Sequence, residues 1–230
     1  PTLIAKNPIA TERLKKGLKF SKEEAMEFYK SVVEEIAKLI PDGSVSIEVY
    51  CDLSTKSDAI IAEVKEMFSW IPNAHIKIPI TFEGLKAAEI AIKEGIRLNM
   101  TLCFSENQAA AVYSSTKGAK KGDVFISPFI GRLDDIGING MTLISNIIKM
   151  YQYGDGHVEI LSASIRNIRH FLCSLWLGVD IITAPFKVLK EWAQMGLTIP
   201  DRNYAYSSKD LKSIPYIHID LTQPWQNYDI

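Results

Sequence analysis

A chain of 230 residues with 47% hydrophobic and 23% charged residues can bury a substantial core, which excludes a disordered chain and a small disulfide-stapled scaffold. Its 26 Lys and Arg nearly balance 27 Asp and Glu, so no global positive field exists to hold a nucleic acid or an anionic membrane. Any anion must be recognised locally.

In chain order, Ser21 and Glu24 spell a capping box that opens a helix, in which side chain and backbone donors satisfy one another. Residues 45–50 form the first β-like run, followed by a helical stretch and a second run at 75–80. Gly95 closes the next helix by offering the left-handed turn, and residues 99–104 form the third strand. Ser105 and Gln108 repeat the capping pattern, and Gly118 ends that helix before a strand at 124–129. Two further strands are expected at 159–165 and 180–185, with Gly178 and Gly196 ending the last helices. A final stretch of about 30 residues lacks periodicity and reads as an irregular tail. No linker rich in Pro, Gly or Ser interrupts the series, so residues 1–230 are expected to form a single domain.

Alternating strands and crossover helices force a parallel sheet, either doubly wound or closed into a (β/α)8 TIM barrel. One face of each strand is aliphatic, as in Val45, Ile47 and Val49, in Ile76, Ile78 and Ile80, and in Leu98, Met100, Leu102 and Phe104. The opposite face carries Ser46, Glu48, Lys77, Asn99, Thr101, Ser127, Ser162, Ser164 and Thr183. A doubly wound sheet is covered on both faces and reads as apolar throughout, so polar groups on one face favour the barrel. Its first two strands are expected upstream of Pro1, because six strands alone leave two sheet edges open.

Lys77, flanked by Ile76 and Ile78, points to the barrel interior, where burial favours the free amine that attacks a carbonyl. It reads as a Schiff-base nucleophile or as a lysine paired with a carboxylate such as Glu48. Around it, Glu48 offers a carboxylate, Thr101 a hydroxyl near the amine, Asn99 an amide for sugar hydroxyls, and Ser127 a further hydroxyl. Arg132 and Arg166 stand at strand ends and read as a phosphate clamp, or as partners in surface salt bridges such as Arg132 with Asp134 or Asp135.

These residues fall in ordered segments: Pro1-Thr2-Leu3-Ile4-Ala5-Lys6, Ser46-Ile47-Glu48-Val49, Ile76-Lys77-Ile78-Pro79, Glu83-Gly84-Leu85-Lys86-Ala87, Asn99-Met100-Thr101-Leu102-Cys103-Phe104-Ser105, Gln108-Ala109, and Ser127-Pro128-Phe129-Ile130-Gly131-Arg132-Leu133-Asp134-Asp135. Through them nearly the whole chain resembles the transaldolase family. The resemblance implies a (β/α)8 barrel that moves a dihydroxyacetone unit between sugar phosphates through a lysine Schiff base. Fructose 6-phosphate or sedoheptulose 7-phosphate would be the donor, and erythrose 4-phosphate or glyceraldehyde 3-phosphate the acceptor.

Carried over by position, Lys77 resembles the Schiff-base lysine, and Glu48 and Thr101 the pair that positions the catalytic water. Asn99, Ser127 and Phe129 match the substrate pocket, and Arg132, Ser164 and Arg166 the phosphate site. The related fructose 6-phosphate aldolases share the lysine but typically carry Gln in place of Glu48 and Tyr in place of Phe129. Both positions here match the transaldolase pattern. The family's first-strand Asp and its Thr-Thr-Asn run have no match in this sequence and are expected upstream. Without them the chain would be a phosphosugar-binding barrel that does not turn over. The resemblance also implies a homo-oligomer placed in the pentose phosphate pathway.

Cys51, Cys103 and Cys173 are too few and too dispersed for a disulfide framework or a zinc cluster, which suits reduced thiols in the cytoplasm. No apolar run approaches the roughly 18 residues of a membrane span, and the first residues lack the basic-then-apolar order of a signal peptide. His75, His157, His170 and His218 lack metal-ligand spacing and are expected to be structural. Gly131, Gly137 and Gly140 make a turn but no phosphate-cradling loop, and Trp70, Trp176, Trp192 and Trp225 read as packing residues. No metal, cofactor, nucleic-acid partner or membrane is expected; sugar phosphates are.

Overall fold

A computed structural model describes residues 8–208 and 210–230, so the segment at residues 1–6 lies outside the described residues. The elements follow as α1 (Pro8–Lys15), α2 (Lys22–Leu39), β1 (Val45–Glu48), α3 (Ser57–Phe68), β2 (Ala74–Pro79), α4 (Phe82–Lys93), β3 (Leu98–Cys103) and α5 (Glu106–Ser115). Then come β4 (Val124–Pro128), α6 (Ile130–Asp134), α7 (Gly140–Tyr151), β5 (Val158–Ser162), α8 (Ile168–Leu177), β6 (Ile181–Ile182) and α9 (Phe186–Gln194).

The six strands form one parallel sheet in the strict order β1-β2-β3-β4-β5-β6. A doubly wound sheet reverses its order at a switch point, and no reversal occurs here. Every right-handed crossover therefore delivers its helix to the same face. Ile47, Ile76, Leu98 and Ile126, all fully buried, line that face against the helices. Each such side chain contributes roughly 1.5 to 3 kcal/mol. The other face is concave, because residues from β1 through the end of β6 line a single cavity. The architecture is thus a curled six-stranded parallel sheet, a half-barrel, with its helices outside.

The start and stop signals act as their chemistry requires. Ser21 and Glu24 make the full capping box of α2. At α5, Ser105 Oγ accepts the Gln108 N–H, but Gln108 Oε1 accepts from Phe104 N–H instead of from Ser105. Gly178 closes α8 in the left-handed conformation at φ 70°.

Three expectations about strand faces are corrected. The β3–β4 register shifts between Thr101 and Cys103, where Leu102 adopts φ 62°. That bulge turns Cys103 into the core and leaves Leu102 and Phe104 partly exposed, so the aliphatic alternation stops at Met100. Ser162 faces outward, where its Oγ lies 2.8 Å from Ser174 Oγ of α8; Leu161 and Ala163 face the concave side with Phe125. The inner face is therefore apolar and aromatic at depth, and His75 stacks on Phe125 at 4.1 Å. The last strand is also shorter than expected, two residues instead of 180–185.

The tail runs backward across the outside of the molecule. Lys212 pairs with Gly137 and Asn139 through backbone hydrogen bonds, and Ile214 N–H donates to Thr142. Further on, Trp225 is buried with Nε1 donating to Glu89 Oε2 of α4 at 3.0 Å.

Candidate active site

Strand β1 sets Ser46 and Glu48 on the concave face, and β2 sets Lys77 beside them, because Glu48 and Lys77 are register partners. Lys77 Nζ lies 3.4 Å from Glu48 Oε2. The lysine side chain is 23% exposed and the glutamate 54%, so the amine opens to the cavity and is not sealed from water. The pairing weighed from sequence is present, and it sits inside the cavity. The Phe129 ring stands 5.7 Å from the same Nζ, an apolar wall that favours a cation over its face.

The next strands contribute a connected polar floor. Ser127 Oγ donates to Asn99 Oδ1 at 2.6 Å, and Asn99 Nδ2 donates to Ser46 Oγ at 2.9 Å. With Asn99 and Ser127 both buried, these bonds fix the amide orientation and leave its second N–H for a ligand. Thr101 is placed differently from the others. It is fully buried outside the cavity wall, and its Oγ1 has no hydrogen-bond partner among the described residues.

At the strand ends the cavity acquires its positive charge. Arg132 on α6 and Arg166 after β5 both line it, together with Ser164. Ser164 reaches the cavity because its backbone takes φ 60°, which resets the strand alternation. The alternative weighed for Arg132, a salt bridge with Asp134 or Asp135, is not formed. Asp135 Oδ2 accepts instead from Arg166 at 2.9 Å, and Asp134 Oδ2 from His170 Nε2 at 2.8 Å. Arg132 forms no ion pair among the described residues. The Arg166–Asp135 pair is half exposed on both sides, a geometry worth about 1 kcal/mol or less, so a competing anion can displace the carboxylate at little cost.

Eight of the nine expected site residues, Glu48, Lys77, Asn99, Ser127, Phe129, Arg132, Ser164 and Arg166, thus line one cavity of 490 Å³. Tyr29, Leu161, Ala163, Ile165 and Pro185 also line it and were not anticipated. Tyr29 comes from α2, and its hydroxyl accepts the Glu48 N–H at 2.8 Å. A tyrosine on the packing face of a helix carries no sequence signal for such a contact. No cluster of three His, Cys, Asp or Glu suited to a metal ion occurs among the described residues. The chemistry available is that of an amine beside a carboxylate, with hydroxyl and amide donors between them and two guanidinium groups. No described helix is long and apolar enough to cross a membrane.

Comparison with known proteins places the chain. The family model described as transaldolase/fructose-6-phosphate aldolase matches residues 1–225. A probable transaldolase of Dehalococcoides mccartyi is 39% identical over 215 residues, covering 88% of this chain and 94% of that protein. A probable transaldolase of Caldicellulosiruptor saccharolyticus is 42% identical over 188 residues, 81% of each chain. One of Roseiflexus castenholzii is 40% identical over 178 residues, 77% of each. The chain belongs to the transaldolase/fructose-6-phosphate aldolase family.

Proposed function

We propose that the protein is a transaldolase, an aldolase-type transferase that moves a dihydroxyacetone unit between sugar phosphates. Lys77 Nζ attacks the C2 carbonyl of a ketose phosphate such as fructose 6-phosphate or sedoheptulose 7-phosphate, forming a carbinolamine. Glu48 takes and returns the protons that let hydroxide leave as water, which yields the protonated Schiff base. Loss of the C4 hydroxyl proton to a general base, the role that the resemblance gives to the family's first-strand Asp, breaks the C3–C4 bond, releases the aldose phosphate and leaves a three-carbon enamine on Lys77. The enamine adds to the acceptor, glyceraldehyde 3-phosphate or erythrose 4-phosphate, and hydrolysis frees the product.

Thr101 lies buried outside the cavity wall, so its part in positioning the water rests on the resemblance, while the Ser46–Asn99–Ser127 chain supports recognition of sugar hydroxyls by Asn99 and Ser127. Arg132, Ser164 and Arg166 are read as holding the phosphate, with the two guanidiniums offering forked donors. Glu48 and Phe129 in one cavity favour transfer over the simple aldol release of the related aldolases. The same reading makes the curled sheet part of a closed (β/α)8 barrel in one domain, and makes the protein a cytoplasmic homo-oligomer of the pentose phosphate pathway.

The single observation that carries this function is the Lys77–Glu48 contact at 3.4 Å, in a cavity shared with Arg132 and Arg166. Its test is reductive trapping. The active full-length protein is incubated with fructose 6-phosphate and borohydride, and the adduct is mapped by mass spectrometry. A three-carbon adduct on Lys77 is expected, together with transfer to an aldose phosphate acceptor. An unmodified Lys77 overturns the reading.

A further inference from the structure

Arg132 and Arg166 belong to different segments, and a phosphate can use both only if their spacing is fixed. The Ile130 N–H donates to Ala163 O at 3.2 Å and so joins the segments at their base, and a further set of hydrogen bonds between them converges on His170, a residue that does not line the cavity. His170 is buried on α8, and the Arg166 backbone N–H points at its Nδ1 from 3.3 Å. An N–H can only donate, so Nδ1 is the acceptor and the proton resides on Nε2. That Nε2–H donates to Asp134 Oδ2 at 2.8 Å. Asp134 ends the helix carrying Arg132, and its Oδ1 in turn accepts the Gly140 N–H at 3.0 Å.

A second, independent contact joins the same segments. A Cβ on Gly131 would stand 2.2 Å from Ser164 O and 2.5 Å from Arg166 Cγ, so the chain beside Arg132 touches the chain beside Arg166 directly. Burial holds His170 below its ordinary value of 6.5, against the opposing pull of Asp134, which suits the singly protonated ring that this geometry requires. Arg166 and Arg169 also disfavour a charged ring, and the Tyr206 ring packs 6.4 Å away.

We propose that His170 and Asp134 are positioning residues for the phosphate subsite: as an Nε2–H tautomer, His170 links the Arg166 backbone to the helix of Arg132 and sets the separation of the two guanidiniums. The proposal rests on reading those arginines as the phosphate site. It assigns no role in the chemistry at Lys77, and this separation makes it testable.

Asp134→Asn preserves shape but places an NH2 against either His170 Nε2–H or the Gly140 N–H, so one link is lost in either orientation. His170→Ala removes both links, and His170→Asn keeps an acceptor near the Nδ1 position. Inorganic phosphate binding is measured by calorimetry, and Lys77 is trapped with borohydride using dihydroxyacetone, which carries no phosphate. In Asp134→Asn and His170→Ala, phosphate affinity is expected to fall about tenfold, the worth of one well-placed hydrogen bond. The KM for fructose 6-phosphate rises with it, dihydroxyacetone trapping stays at the parent rate, and His170→Asn recovers part of the phosphate affinity.

Unchanged phosphate affinity, or an equal loss of trapping with both substrates, overturns the proposal. So does a nitrogen NMR spectrum of the parent protein at neutral pH showing His170 protonated on Nδ1. Should the parent bind no phosphate, or bind it independently of Arg132 and Arg166, the phosphate-site reading itself fails and the positioning role goes with it. If His170→Ala does not fold, Asp134→Asn and His170→Asn decide the matter.

Discussion

Glu48 and Lys77 are register partners on adjacent parallel strands, and their side chains meet at 3.4 Å. Parallel strands hold facing residues on the same side of the sheet, so the pairing follows from the register and needs no loop to arrange it. Glu48→Gln keeps the shape and removes the proton carrier. Formation of the trapped adduct with fructose 6-phosphate is expected to slow by about 100-fold, the usual scale of general acid–base assistance. Rapid-quench measurement of adduct accumulation checks this, and equal rates in parent and variant remove Glu48 from the mechanism.

Lys77→Arg retains the positive charge beside Glu48 but keeps it permanently, because a guanidinium is not deprotonated in proteins. Covalent adduct and three-carbon transfer are expected to vanish while phosphate binding at Arg132 and Arg166 persists. A coupled assay of transfer, set beside phosphate calorimetry, separates these effects. Transfer comparable to the parent would contradict the assignment of Lys77.

Gly131→Ala forces a methyl to within 2.2 Å of Ser164 O and against the stem of Arg166. A backbone carbonyl cannot yield as a flexible side chain can, so the α6 start and the Ser164 turn must separate. A stability loss of about 1 to 3 kcal/mol is expected, as for overpacked cores, together with a raised KM for phosphorylated substrate. Urea unfolding and steady-state kinetics on one preparation test both parts.

His75 and His170 are each held below the ordinary histidine value of 6.5, chiefly by burial, which disfavours the charged ring. In the unfolded chain both rings take a proton as pH falls past 6.5, while in the folded protein they resist. The unfolded state then binds more protons, so stability is complete above that pH and declines as the medium is acidified below it. Urea denaturation between pH 7.5 and 5.5 is expected to show that decline, and to show a shallower one in His75→Phe. A flat profile in the parent would refute it.

Trp225 anchors the far end of the tail through its burial, its bond to Glu89 and its contact with the Phe82 ring at 4.9 Å. Trp225→Ala is expected to cost about 3 kcal/mol, at the lower end for removing a large buried aromatic. Limited proteolysis would then cut the tail ahead of the main body. Unchanged protease resistance would show that other tail contacts suffice.

The six strands, their parallel sense and most of the cavity wall were legible in the sequence, because a period of two assigns faces without reference to the rest of the fold. Lys77, Glu48, Asn99 and Ser127 follow from that rule alone, whereas Phe129 came only from the family resemblance. It failed where the backbone departs from regular extension. Leu102 at φ 62° ended the aliphatic alternation early, and Ser164 lines the cavity as expected only because its φ of 60° resets the alternation after Ala163. Ser162 turned to Ser174 because polar and apolar faces exchange within β5, where the buried hydroxyl found a partner on α8 and Leu161 and Ala163 filled the concave side.

Alternation and capping signals are local, so the sequence by itself determined which elements form and, for β1 to β4, which side of the strand faces the cavity. Only the tertiary structure decided that Asp135 meets Arg166, that Asp134 meets His170, and that Tyr29 reaches the Glu48 backbone. Each of those contacts joins separate elements, and their relative placement is set by the packing of the whole core.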